Sequence, residues 1–316
     1  MNDAVMPQSS EAPVEAVLRD ELAQGDVVLG TVGPVLGHLL ANHDHSLFSD
    51  EIVSRVRAMT GDIARQLLVA EAESRDMADT RGFADRMRDD LVQRLLMDER
   101  LVAHCHARAL EWHLVARLES KNAIDPVLSP LLQALVASDD TAVASAAMGA
   151  LAAQARFVQH QRRMELPLGE LPADLFHAAL SVWANGAEGD TAPVAAKLRE
   201  AYDESAGRLG LLARLVAGMG AGARAALAVG HGGVALFLTA LSAMTHQERD
   251  LAIVATNDRQ LARLALSLRA AGLKPKEIEE QFLTIHPDVS LPEGFDALRT
   301  DRAAALLAAS ARVGAY

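Results

Sequence analysis

Apolar residues along this chain recur at three- and four-residue spacing, and few segments alternate with period two, so the pattern predicts helices and no sheet. Two runs carry start signals as well as periodicity. Ser49-Asp50-Glu51 precedes Ile52, Val53, Val56, Met59 and Ile63, and Pro172-Ala-Asp174 precedes Leu175, Phe176, Ala179 and Leu180. Helical patterning begins near Pro13, after a proline-containing polar lead over residues 1–12. Gly- or Pro-rich points predict breaks at 30–37, 42–49, 125–126, 166–172, 185–190, 230–233, 272–275 and 286–294.

The longest uninterrupted pattern covers 80–122, where Gly82 is the only glycine and proline is absent. As one helix it would span about 60 Å. Two forms fit: a break near Asp98-Glu99, or a continuous spine that could also supply a homodimer seam.

Residues 128–154 read LSPLLQALVASDDTAVASAAMGALAAQ. A first helix with Leu131, Leu132 and Leu135 ends at Ser138-Asp139-Asp140, and a second carries Val143, Ala146, Ala147, Ala150 and Leu151. This resembles one HEAT-type repeat, with an Asp-containing turn capping the second helix and small residues where helices approach closely. It departs from that pattern at Ala144, where an arginine commonly follows the valine. Looser pairs follow at 175–184 with 192–202 and at 236–244 with 248–255.

Between these units Glu-Leu-Pro occurs twice, at 165–167 and 170–172, and neither proline can continue a helix. The predicted organisation is therefore an N-terminal helical half over 13–164 and a C-terminal half over 165–316. The leucines of the link predict that it packs against both.

Composition strengthens the helical reading. Of 316 residues, roughly 60 are Ala and 45 are Leu, well above the usual share, while aromatics are 3%. The net charge of −12 disfavours a duplex nucleic-acid binder. A lone cysteine, Cys105, permits neither an intrachain disulfide nor a Cys-based zinc site and suits a cytoplasmic location. Residues 1–17 are acidic and proline-broken, unlike a secretory leader.

The stretch 225–244 lacks Asp, Glu, Lys and Arg, yet Val229-Gly-His-Gly-Gly-Val234 interrupts it. Two short buried helices meeting at a glycine corner fit better than membrane insertion. Gly218-Met-Gly220-Ala-Gly222 has dinucleotide-loop spacing without the preceding strand, so its glycines are expected at close helix contacts.

Candidate chemistry centres on histidine. His38, His43 and His45 invite a metal reading, but His43-Asp44-His45 sits before an expected helix cap, where a capping loop is the simpler reading. His106 and His113 project with Leu91, Leu95, Val102 and Leu110, as core histidines would, and lie about 10 Å apart along a helix, too far to share an ion. Neither His-Glu-x-x-His nor Glu-x-x-His occurs, and no metal or cofactor is expected. His104 projects toward the polar side near Gln93, Arg108 and Glu111. With Arg100 and Arg108 one turn either way, His104 is the candidate phosphoacceptor and the arginines its anion contacts. Cys105 follows it where a kinase helix carries an acid. No Gly-x-Ser-x-Gly elbow occurs, Cys105 sits mid-helix, and Asp89-Asp90 and Glu279-Glu280 read as solvated faces. Residues 257–283 have helix-turn-helix spacing, but Lys276-Glu-Ile-Glu-Glu-Gln281 would repel phosphates, which leaves a plain αα-hairpin.

The HEAT-like unit, the segment opening Gln161-Arg-Arg-Met-Glu-Leu-Pro167, and the closing stretch from Leu268-Arg-Ala-Ala-Gly272 to Pro292-Glu-Gly-Phe295 together resemble an uncharacterised, mainly alphaproteobacterial family of all-helical proteins, a domain of unknown function. The resemblance implies a cytoplasmic helical-repeat protein with no established activity. The expected function is non-catalytic binding or regulation through contact with a partner protein. The alternatives are phosphotransfer or phosphatase accessory work at His104, and an apolar-ligand carrier built on 210–244.

Overall fold

A computed structural model describes residues 13–41 and 49–310, the side chains of 32–41 excepted. The chain is all-α: 79% is helical, and no strand occurs among the described residues. The expectations placed on residues 1–12, His38, His43 and His45 lie outside the residues, or the side chains, so described.

The helices run α1 (Pro13–Ala41), α2 (Asp50–Ser74), α3 (Thr80–Leu95), α4 (Glu99–Asn122), α5 (Pro130–Val136), α6 (Thr141–Arg162) and α7 (Ala173–Gly186). They continue as α8 (Ala192–Ala201), α9 (Arg208–Gly218), α10 (Val229–Thr245), α11 (Arg249–Val254), α12 (Leu261–Ala270), α13 (Pro275–Ile285) and α14 (Thr300–Ser310). Local chemistry accounts for several starts. The Ser49 hydroxyl accepts the Ile52 N–H at 3.3 Å, and the Asp140 carboxylate accepts the N–H groups of Ala142 and Val143 at 2.8 and 3.3 Å.

The 80–122 pattern is two helices. Asp98 caps α4 by accepting the N–H groups of Arg100 and Leu101 at 3.0 and 3.3 Å, so the carboxylate that interrupts the apolar rhythm also begins the next helix. The expected break at 30–37 does not occur, since α1 continues to Ala41. A helical glycine costs about 1 kcal/mol without forbidding the helix. Tertiary packing supplies the remainder, with Val14, Leu18 and Leu22 of α1 buried in the core.

Apolar burial forms two principal clusters. One joins α2, α3, the first half of α4, the 166–171 link, α7 and α8. The other joins α1, the second half of α4, α5, α6 and α9 through α14. The clusters thus interleave the stretches of sequence on either side of the link. The link itself is tied to α2: the Leu168 N–H donates to Gln66 Oε1 at 3.0 Å and the Leu166 N–H to Asp62 Oδ2 at 3.1 Å. From the other side, the Tyr202 hydroxyl donates to the Leu171 carbonyl at 2.8 Å.

The glycine corner lies at Gly233, inside α10, with φ of +69°. A 3-10 turn over Gly220–Leu227 meets α10 at 117°, and among the described residues no single helix is long and apolar enough to cross a membrane. The glycines at 218, 220 and 222 do not make the expected close contacts, because a Cβ at 218 or 220 would meet nothing within 4 Å. Gly220 has a positive φ of +52°, a conformation that favours glycine, and close approach occurs instead at Gly232 and Gly233. The hairpin read from 257–283 is present as α12 and α13, turned at Gly272 with φ of +91°.

Candidate functional site

Helix α4 belongs to both clusters, and its two sides do different work. At 100° per residue, His104, Arg108 and Glu111 share one side, while His106, Leu110, His113 and Arg117 share the opposite one.

The first side faces a buried charge network. The Glu111 carboxylate, fully buried, takes Arg208 through two hydrogen bonds at 2.9 and 3.0 Å and Arg249 through two at 2.7 and 3.0 Å. Arg108 Nη1 lies 2.9 Å from the same carboxylate and its Nη2 donates to Asp250. His104 donates from Nδ1 to Asp250 Oδ2 at 2.6 Å, because a carboxylate can only accept. Gln154 accepts from Arg208 at 3.1 Å, and the Arg208 guanidinium lies 3.6 Å from the centre of the Phe157 ring. One carboxylate therefore joins α4 to the starts of α9 and α11, with α6 behind.

Burial alone would raise the Glu111 pKa, but Arg208, Arg249 and Arg108 together hold it well below the usual carboxylate range. Burial opposes ionisation of Asp250 too, and His104, Arg108 and Arg249 reverse it, so that carboxyl is strongly depressed. Both acids are ionised, and against three guanidinium groups they leave one positive charge before His104 is counted. Among the described residues His104 Nε2, Arg108 Nε and Arg208 Nε have no hydrogen-bond partner.

This geometry corrects the polar-side placement of His104. Its side chain is 2% exposed, and Arg108 is equally covered. Two clusters meet across α4, so a face that reads as polar in projection is an interior one. Arg100 is outside the network, at 3.4 Å from Asp174 and 3.7 Å from Asp98 on the surface. An imidazole so enclosed and bonded offers no access to a phosphoryl donor. The Cys105 thiol is likewise buried, and burial pushes its pKa up to about 12.

The opposite side of α4 lines a cleft of about 480 Å³, closed by α1, the start of α2, and residues 254–260 between α11 and α12. Val28, Leu29, Ile52, Leu110, Leu114 and Val254 are its apolar lining, and its polar positions are more numerous, with His106, His113, Arg117, Asp258 and Arg259 the titratable ones. His106 is buried as expected, and burial lowers its pKa to about 4, so it is neutral at physiological pH. His113 is exposed, which corrects its expected core placement. Periodicity groups it correctly with His106 and Leu110, but the surface they share bounds a cleft rather than the core.

Glu111, Arg208, Arg249, Asp250 and Arg117 carry these two features, and none stands out in the sequence as a site residue. The available signals were the 104/108/111 spacing on one helix side and an arginine at 117 continuing the stripe of Leu110 and Leu114. No family model, curated protein or solved structure matches this chain.

Proposed function

We propose that this chain is a non-catalytic binding protein that holds a small ligand in the cleft between α1, α4 and the α11–α12 connection. The observation that carries the reading is the cleft itself, whose volume and mixed lining, apolar side chains interspersed with hydrogen-bonding and charged ones, suit a small amphiphilic molecule. The ligand-carrier idea moves with it, from the glycine-rich 210–244 region to α4. Among the described residues, large exposed apolar side chains stand at separated positions such as Val27, Met97, Met148 and Leu283, which gives a protein partner no apolar stripe along one helix. The α5–α6 pair supports a HEAT-type unit, with Asp140 capping α6 and Ala147 and Ala150 fully buried.

The neutral apolar fluorophore N-phenyl-1-naphthylamine tests the reading. Saturable binding to the full chain is expected, weakened at least about tenfold by Val28→Trp, which fills the cleft from α1. Binding that is not saturable, or that Val28→Trp leaves unchanged while the variant melts like wild type, would overturn it.

A further inference from the structure

We infer that the cleft selects an amphiphile with one anionic head, a carboxylate above all, and that Arg117 is its anchor. The inference rests on the binding reading above and adds the ligand's chemical class.

Arg117 is the lining group whose interactions are incomplete. Among the described residues its buried Nε has no hydrogen-bond partner, and no carboxylate lies within ion-pair distance of its guanidinium. Partial burial lowers its pKa while the more distant Asp258 opposes that effect, so the guanidinium is half-buried at the cleft wall with only part of its charge offset by the protein. A guanidinium in that state is completed by a planar anion that accepts two parallel N–H bonds.

Charge along the lining favours a single negative charge. The chain as a whole carries −12, yet the cleft has Arg117 and Arg259 against Asp258 alone. Burial keeps the lining His106 neutral at neutral pH, and His286, outside the lining, is lowered by burial and by Arg117. A net charge of about +1 matches a monoanion better than a phosphate dianion, and it repels a cation.

An apolar strip also runs along the cleft beside the exposed His113. Arg117 stands about 16 Å from His106 along the α4 axis, and Leu110 and Leu114 lie between them, Leu110 packed with Leu29 and Val254. A head held at Arg117 would thus lay an alkyl chain over apolar side chains toward a neutral imidazole.

Decanoate, decanol and decylamine, which share a tail and differ in head, separate the possibilities when each displaces N-phenyl-1-naphthylamine from wild type and Arg117→Gln. Decanoate is expected to bind wild type at least about tenfold more tightly than decanol, as one charge-assisted anchor implies. Arg117→Gln should abolish that preference and leave decanol unchanged. Its melting temperature should not fall, since the replaced cation has no ion pair to lose, and Arg117→Lys should restore part of the preference. Equal binding of decanoate and decanol, or tighter binding of decylamine, overturns the anionic class while leaving the cleft a binding site. Failure of the fluorophore itself to bind overturns the cleft reading instead.

Discussion

Glu111 and Arg208, 97 residues apart in sequence, meet in the interior through two parallel hydrogen bonds of 2.9 and 3.0 Å. The pair joins the middle of α4 to the first residue of α9, and Arg249 repeats the arrangement on the same carboxylate. Because three arginines converge on Glu111, the acid cannot be neutralised without leaving buried cations uncompensated. Glu111→Gln keeps the shape and removes the charge. It should cost about 3–5 kcal/mol, the range for breaking a buried ion pair on one side, measured by urea denaturation. A loss under about 1 kcal/mol would show that water reaches the network.

Acid should weaken the fold in two stages. The folded pKa of His106 is about 4 against an ordinary 6.5, so the unfolded chain takes up that proton first. Its contribution is intact above pH 6.5 and lost as pH falls toward 4, by roughly 3 kcal/mol in the limit. His286, also lowered, acts in the same direction. Glu111 and Asp250 are depressed, so their contributions are present above ordinary values of 4.5 and 3.8 and decline below them. Denaturation at several pH values should show His106→Gln flattening the slope between pH 6.5 and 5 but keeping the limb below 4.5. An unaltered upper slope would place the His106 ring in water.

Ala147 is fully buried on α6, the helix that packs on α9. Ala147→Leu adds volume at a fully buried position and should cost about 1–3 kcal/mol. An unchanged melting temperature would show slack at this contact.

Gly233 tolerates substitution poorly for two reasons. Its φ of +69° disfavours any Cβ, and an added one would stand 2.8 Å from the Ser129 Cβ. Gly233→Ala should therefore lose more than about 1 kcal/mol and disturb the Ser129 cap of α5, whose hydroxyl accepts the Leu132 N–H at 3.2 Å. A melting temperature equal to wild type would mean that the corner can open without cost.

The sequence by itself determined the helical class, most helix ends and the link at 166–172, because these depend on neighbours. Ser49, Asp98 and Asp140 each cap a helix through N–H groups two or three residues away, and Pro167 and Pro172 stand immediately before the 3-10 turn at 168–170 and before α7, where their missing N–H is no loss. The 3.6-residue period also sorted α4 into its two sides. What lies beyond each side was a tertiary decision. A helix shared by two apolar clusters has no solvent side along much of its length, so His104 and Arg108 are polar in composition and interior in fact. Their partner Asp250 and the Glu111 partners Arg208 and Arg249 come from 97 to 146 residues away, where no periodicity or local spacing connects them. The cleft arises likewise from α1, α4 and the α11–α12 connection, and only their packing leaves Arg117 half-buried beside space that a ligand can fill.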